Sequence, residues 1–263
     1  MLVAHALGLK WSAVHLEPHR LVNPDEQTRA LQLAGQRERR VPLQYIIGQC
    51  EFMSLPFVIT QGVFIPRPET EVLVESLIGE VSKADCASGR ILDLGAGSGV
   101  VGISLAKYLK PDFVLACDVS PLAVEISRKN AILNCVHRCM GFVIGDGTSY
   151  IGSEADGCGH EGFDVVACNP PYVESGQIEF LEPEVRDHDP RLAIDGGTDG
   201  LSFIEGITPG LPSILREGAV VGFEIGATHG ERVRALFEGC GLTHVRVHKD
   251  LNGRDRVVLG RNM

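Results

Sequence analysis

From Gly89 onward seven short β-rich runs alternate with segments of helical periodicity, and no other feature of this 263-residue chain narrows the choice of fold as far. The runs are 91–94, 113–117, 142–144, 164–168, 219–225, 245–247 and 256–259, with helical segments at 99–109, 121–133, 201–215 and 231–237. Strands that alternate with helices form a parallel sheet covered on both faces, because each returning helix needs a sheet face to pack on. The last two runs are joined by the stretch 249–255, too short for a crossover helix, so the final strand should be antiparallel.

The residues ahead of this block have a different pattern. Positions 1 to about 45 read as helices: Leu2, Ala6 and Leu9 share a face, and a run from Asp25 to Arg39 follows the start signal Asn23-Pro24-Asp25-Glu26. From 58 to 68 the chain alternates and then meets Pro66 and Pro68, which forbid a helix and give an extended connector. Pro68-Glu69-Thr70-Glu71 then opens another helix. The expected division is a helical domain over 1–55, a connector over 56–75 and the sheet domain over 76–263. Two loops stand out. One, 152–162, is rich in glycine and acids; the other, 172–200, carries Glu174, Glu179, Glu182, Glu184, Asp187 and Asp189 and is long enough to be functional or disordered.

Composition removes several function classes. Against 24 Lys and Arg stand 34 Asp and Glu, a net charge of −10, which argues against affinity by broad neutralisation of nucleic-acid phosphates. No apolar run approaches the roughly 20 residues that cross a bilayer; the small-residue stretch 91–106 is interrupted by Asp93 and four glycines. The first seven residues lack a basic n-region, so no signal peptide is expected. Eight cysteines (50, 86, 117, 135, 139, 158, 168 and 240) follow no repeating frame, the pattern of reduced thiols in the cytoplasm. Cys135, His137 and Cys139 have no second ligand pair at metal spacing and read as strand-entry residues rather than zinc ligands.

The first run closes in Asp93-Leu94-Gly95-Ala96-Gly97-Ser98-Gly99. Glycines let the backbone turn tightly and approach a ligand at the carboxyl end of a parallel strand, where open α/β sheets bind ligands. A dinucleotide fingerprint would need glycine where Val100 stands, and no Gly-Lys-Ser/Thr marks a phosphate loop. The Gly-x-Gly-x-Gly form resembles the S-adenosyl-L-methionine loop of class I methyltransferases, which makes Gly95, Ala96, Gly97, Ser98 and Gly99 candidate cofactor-binding residues. Asp118 ends the second run, where a carboxylate can accept both hydroxyls of a ribose. Asp146, in Gly145-Asp146-Gly147, is placed to reach the adenine amino group, with Gly147 beside it. Each of these acids alone could equally be an ordinary strand-end or turn carboxylate.

The fourth run leads into Asn169-Pro170-Pro171-Tyr172, the candidate catalytic group. Two prolines fix the backbone and cannot donate hydrogen bonds, so nearby carbonyls face outward as acceptors and the Asn169 side-chain carbonyl adds another. Such acceptors suit a planar NH2 group: they hold its two hydrogens and turn its lone pair toward a methyl donor, also making Asn169 a neighbour of the cofactor. Tyr172 can pack on the flat face of the substrate. Cys168 adjoins the motif but needs no role as a nucleophile, since the methyl group passes directly from sulfur to nitrogen.

Asn-Pro-Pro-Tyr resembles the motif of enzymes that methylate an amide or exocyclic amine nitrogen. The earlier segments Val41-Pro42-Leu43-Gln44-Tyr45-Ile46-Ile47-Gly48, Glu51-Phe52 and Phe64-Ile65-Pro66-Arg67-Pro68-Glu69-Thr70-Glu71 are similar to those of the HemK/PrmC family, the release-factor glutamine methyltransferases. The similarity continues through 190–197, 199–201 and 255–258 and covers nearly the whole chain. The resemblance implies a seven-stranded class I SAM-dependent methyltransferase fold, Rossmann-like, with a small helical N-terminal domain that docks the substrate. It further implies a methyl transfer to the N5 amide nitrogen of the glutamine in the Gly-Gly-Gln motif of a class I peptide-chain release factor. The expected enzyme is a cytoplasmic monomer with no direct contact to nucleic acid or membrane. Rival readings are an N6-adenine nucleic-acid methyltransferase, a ribosomal-protein glutamine methyltransferase, which shares Asn-Pro-Pro-Tyr but usually differs after Pro-Arg, and a SAM-binding regulatory module without turnover. Arg67, Glu69 and Glu71 either close over the cofactor or serve as helix-start charges.

Overall fold

The computed structural model describes residues 1–17, 19–83, 89–146 and 162–263. Gly147, Cys86, Cys158 and nearly all of the 152–162 loop lie outside the described residues.

The N-terminal region holds four helices, α1 (Leu2–Ala6), α2 (Trp11–Leu16), α3 (Pro24–Glu38) and α4 (Leu43–Ile47). The longest, α3, begins where the sequence signals it: the Asn23 side chain accepts the Glu26 N–H, the Glu26 carboxylate accepts the Asn23 N–H, and Pro24 takes the first helical position. No residue of α2, α3 or α4 is fully buried, and Trp11, Leu16, Leu21 and Leu31 stand exposed. Among these helices only the small side chains Ala4 and Ala6 of α1 are buried, so partial contacts do most of the holding.

A hairpin follows that the sequence pattern does not signal, β1 (Gln49–Phe52) paired antiparallel with β2 (Leu55–Val58). Its turn residues Met53 and Ser54 both have positive φ, 49° and 58°, a conformation in which glycine or asparagine is usual. External bonds hold the turn: the Met53 N–H donates to Glu71 at 2.6 Å, and the Tyr108 hydroxyl donates to the Met53 carbonyl at 2.6 Å. Phe52, Leu55, Phe57, Ile59 and Ile65 are buried in one cluster with Leu73, Leu77, Ile91 and Ile103, so the hairpin packs into the core of the sheet region.

That region is built from β3 (Arg90–Leu94), β4 (Phe113–Asp118), β5 (Met140–Ile144), β6 (Phe163–Cys168), β7 (Leu215–Glu224), β8 (Thr243–Lys249) and β9 (Asp255–Arg261). The strand order is β5-β4-β3-β6-β7-β9-β8, parallel from β5 to β7, with β9 antiparallel to both of its neighbours. Helices α5 (Glu71–Lys83), α6 (Val100–Leu109) and α7 (Pro121–Leu133) connect it. The inner strands read as unbroken apolar runs because buried clusters lie on both faces. Residues 201–215 do not form the single helix that their periodicity suggests: Pro209 and Pro212 lack an N–H to donate, and the segment divides into Ser202–Ile207, Thr208–Gly210 and Leu211–Ile214. Among the described residues no helix is long and apolar enough to cross a membrane.

From β3 the chain builds outward to β4 and β5, then returns to place β6 and β7 on the other side. This reversal opens a crevice beyond the carboxyl ends of β3, β4 and β6, the place where open α/β sheets bind ligands.

Candidate active site

The crevice is a cleft of about 620 Å³, within the roughly 300–1,000 Å³ of small-molecule sites. Its wall brings together Gly95, Ala96, Gly97, Ser98, Asp118, Asp146 and Asn169, Pro170, Pro171 and Tyr172. Residues up to 77 positions apart in sequence thus meet, because the strand ends that carry them are neighbours in the sheet.

One end of the cleft is made by the glycine loop after β3. Gly95, Gly97 and Gly99 take φ of 67°, 56° and 83°, left-handed values that a side chain would strain. A Cβ on Gly97 would meet nothing within 4 Å, whereas one on Gly99 would lie 2.3 Å from the Ser127 hydroxyl. Gly99 is not part of the cleft wall; its bare backbone lets α6 pack against α7. Behind the loop, the buried Asp93 carboxylate accepts the Gly102 N–H at 2.8 Å and so caps α6, whose own N-cap is a glycine. Burial pushes the Asp93 carboxyl up to about 7, and the Asp118 charge adds to the effect.

Asp118 ties two loops together. One oxygen accepts the Gly97 N–H and the other the Ser120 N–H, both at 2.8 Å. Burial raises its pKa above the usual carboxylate value, and the two N–H groups oppose the rise. Each oxygen keeps a lone pair for a ligand hydroxyl. Asp146 follows β5 on the same wall and is exposed. Glycines at the close-approach positions, a strand-end carboxylate with spare acceptors and a cleft of this volume fit S-adenosyl-L-methionine.

The other end is made by the motif after β6. The Asn169 amide nitrogen donates to the Thr70 hydroxyl at 3.1 Å, which leaves the Asn169 oxygen as the group available to a ligand. The Tyr172 hydroxyl points away from solvent and donates to Glu224 at 3.0 Å. Glu224 ends β7 with no solvent exposure; burial raises its carboxyl to about 6 and its second oxygen, Oε2, has no close hydrogen-bond partner. Arg256 reaches the Tyr172 hydroxyl at 3.5 Å and Asp250 at 3.3 Å. Burial holds the Cys168 thiol well above its usual pKa, so it stays protonated and unreactive beside the motif.

The connector closes the cleft from the helical side. Arg67 lines it, pairs with Asp189 and lies 5.1 Å from the Phe64 ring, while the Tyr45 hydroxyl donates to the Val63 carbonyl at 2.8 Å and to Asp189 at 3.3 Å. Of the three connector charges, Arg67 therefore reaches the cleft and Glu71 serves the hairpin turn. Several acids of the 172–200 loop are also engaged within the chain: Glu182 and Glu184 pair with Arg40 at 3.0 and 2.6 Å, and the Arg37 and Arg40 guanidinium groups hold the Glu184 carboxyl down at about 2. Sequence reasoning passed over Thr70 as a side-chain partner, and over Asp93 and Glu224. The last two left a signal, an acid inside an apolar strand that the sheet buries.

Two family models match, PrmC N-terminal domain over residues 1–48 and Methyltransferase small domain over 55–187. A release factor glutamine methyltransferase of Geobacter sulfurreducens is 36% identical over 260 residues, covering 99% of this chain and 87% of the relative. Its counterpart in Caulobacter vibrioides is 35% identical over 255 residues, covering 97% and 85%. Among solved structures, a Thermus thermophilus 16S rRNA N2 G1207 methyltransferase in complex with AdoMet and guanosine superposes with a TM-score of 0.56 at 16% identity, over 82% of this chain and 50% of that one. The ribosomal protein L11 methylase of Lactobacillus delbrueckii subsp. bulgaricus gives 0.53 at 18%, over 78% and 84%. At such identities these two structures speak for the fold alone.

Proposed function

We propose a mechanism from the premise that the chain belongs to the release factor glutamine methyltransferase family, whose members it matches along nearly its whole length. The chain transfers a methyl group from S-adenosyl-L-methionine to the side-chain amide nitrogen of a release-factor glutamine. The observation that carries the mechanism is that one cleft holds both the Asp118–glycine loop pair and an Asn169 whose amide nitrogen is already engaged by Thr70.

When bound, S-adenosyl-L-methionine supplies an electrophilic methyl group on a sulfonium. Asp118 would accept the ribose hydroxyls, Asp146 would reach the adenine, and Gly95, Ala96, Gly97 and Ser98 would bring bare backbone against the rest, with Gly99 behind them at the α6–α7 contact. The Asn169 side-chain oxygen and the Pro170 carbonyl accept the two N–H groups of the substrate amide, orienting its nitrogen toward the methyl. An amide nitrogen is a poor nucleophile because its lone pair is delocalised. Orientation, and hydrogen bonds that strengthen as positive charge builds on nitrogen, supply the catalysis. No strong base is needed before attack, since the proton becomes acidic only as the new bond forms. Pro171 stiffens the turn, and Tyr172 packs on the amide face.

The finer parts of the reading concern the partner. Residues 1–55 dock a class I release factor, 56–75 connect, and 76–263 carry the chemistry, in a cytoplasmic monomer. The net charge of −10 speaks against a nucleic-acid substrate. Incubation with labelled S-adenosyl-L-methionine and, separately, a release factor, its Gly-Gly-Ala variant, ribosomal protein and DNA tests this. Label on the intact factor alone is expected, and label on DNA alone overturns it.

A further inference from the structure

Asn and Gln side chains carry a donor and an acceptor on one planar group, and a site that must accept from a substrate NH2 needs something to decide which end faces the cleft. At Asn169 that decision passes through a hydroxyl. Thr70 accepts from the Asn169 amide nitrogen at 3.1 Å, and Thr70 is itself buried, so its single proton needs a buried acceptor. The acceptor still unclaimed beside it is Glu224 Oε2, buried and without a close hydrogen-bond partner, and the Thr70 hydroxyl favours the charged form of that carboxylate. A carboxylate can only accept. Its charge therefore draws the Thr70 proton toward that unclaimed oxygen, leaves the Thr70 lone pairs for the Asn169 NH2, and turns the Asn169 oxygen outward. The same carboxylate takes the Tyr172 proton at 3.0 Å, which fixes the second side chain of the motif.

Resting on the methyl-transfer reading above, we propose that Glu224 is a positioning residue that sets the polarity of Thr70, Asn169 and Tyr172, and so makes the Asn169 oxygen the group offered to the substrate amide. Glu224 touches no reacting atom; it acts through Thr70. The groups that face it are few: Thr70 and Glu69 from the connector, Tyr172 from the motif and Arg256 from β9, itself paired with Asp250, with the neutral Cys168 thiol on the neighbouring strand. Arg256 favours the charged form and Glu69 opposes it. With burial raising the carboxyl to about 6, the polarity chain is intact at neutral pH and reverses in acid, where a protonated Glu224 becomes a donor.

The test is kcat on whole release factor at saturating S-adenosyl-L-methionine, as a function of pH, for the wild type, Glu224→Gln, Thr70→Val and Thr70→Ser, with cofactor affinity measured by calorimetry. The wild type should lose rate on the acid side with a midpoint near 6. Glu224→Gln can donate as well as accept, so kcat should fall about 10- to 100-fold, the scale of a misplaced catalytic group, with the acid limb flattened and cofactor affinity within about twofold. Thr70→Val should match it, and Thr70→Ser should restore most of the rate. A folded Glu224→Gln enzyme with wild-type kcat, or with the acid limb intact, overturns the proposal. Should that variant fail to fold, wild-type kcat in Thr70→Val overturns it instead. If the wild type labels another protein or DNA and not the release factor, the substrate reading fails, and the same kcat and pH comparison on that substrate still decides the role of Glu224.

Discussion

At the cofactor end of the cleft, one contiguous stretch, residues 95–98, and one strand-end carboxylate, Asp118, make the surface, and they are bonded to each other. At the acceptor end, Asn169 and Tyr172 are bonded to residues 99 and 52 positions away, Thr70 and Glu224. The first end works mainly through backbone, whose shape glycines and a β-α turn determine locally. The second works through side-chain direction, which only distant partners can fix. Damage to the first should therefore appear as lost affinity, and damage to the second as lost rate.

The largest expected effect breaks the acceptor end at its centre. Asn169→Ala removes a preorganised acceptor for the charge that develops on nitrogen, and should lower kcat by about 10²- to 10³-fold while leaving cofactor affinity near normal. Single-turnover methylation of whole release factor, with calorimetry on the same sample, checks both halves of the statement. A folded variant that loses affinity and rate together would erase the division between the two ends.

Asp118→Ala makes the converse cut. Loss of hydrogen bonds to a charged group should weaken S-adenosyl-L-methionine binding by about 1.5 to 3 kcal/mol, with little change in the rate once the cofactor is saturating. A pH signature sharpens it. Burial raises the Asp118 pKa in the free protein, and the hydroxyls it receives favour the ionised form, so binding must expel a bound proton in acid. Affinity should fall as the pH is lowered through that raised pKa, and Asp118→Ala should remove this dependence. Calorimetry of both proteins from pH 8 downward is the measurement, and parallel curves would take Asp118 out of the site.

The same contrast governs what the sequence could reveal. The seven sheet strands were readable because a buried parallel sheet needs apolar runs and each crossover needs a periodic helix, and the glycine loop was readable because its function is local. The β1–β2 hairpin was not, because its Met53-Ser54 turn carries none of the residues that usually adopt positive φ and relies instead on Glu71 and Tyr108. Glu224 sits in the run 219–225 as an acid among apolar neighbours, a signal that something buried needs a charge, yet nothing in the sequence says that its hydrogen-bond partner is Tyr172. Nothing local marks which acids of the 172–200 loop are paired, because the guanidinium groups that claim Glu182 and Glu184 lie 142 to 147 positions upstream.

The smallest effect concerns the seam between the helical region and the cleft. Tyr45, in α4, donates to the Val63 carbonyl and to Asp189, and Asp189 also receives Arg67 from the connector. The side chain of Asp189 has no solvent exposure, and burial raises its pKa despite the Arg67 charge. Tyr45→Phe keeps the ring and deletes the hydroxyl, so the Val63 carbonyl loses a donor while Asp189 keeps its ion pair. The cost should be about 0.5 to 1.5 kcal/mol in denaturant unfolding, the net worth of ordinary hydrogen bonds. Cofactor affinity should not move, because the Tyr45 hydroxyl bonds Val63 and Asp189 and neither Asp118 nor the glycine loop. The informative reading is kcat: if the seam merely fastens the helices it should hold, whereas a drop in kcat on whole release factor at wild-type cofactor affinity would make the connector part of the acceptor end, extending the dependence on distant side chains from Thr70 to Tyr45.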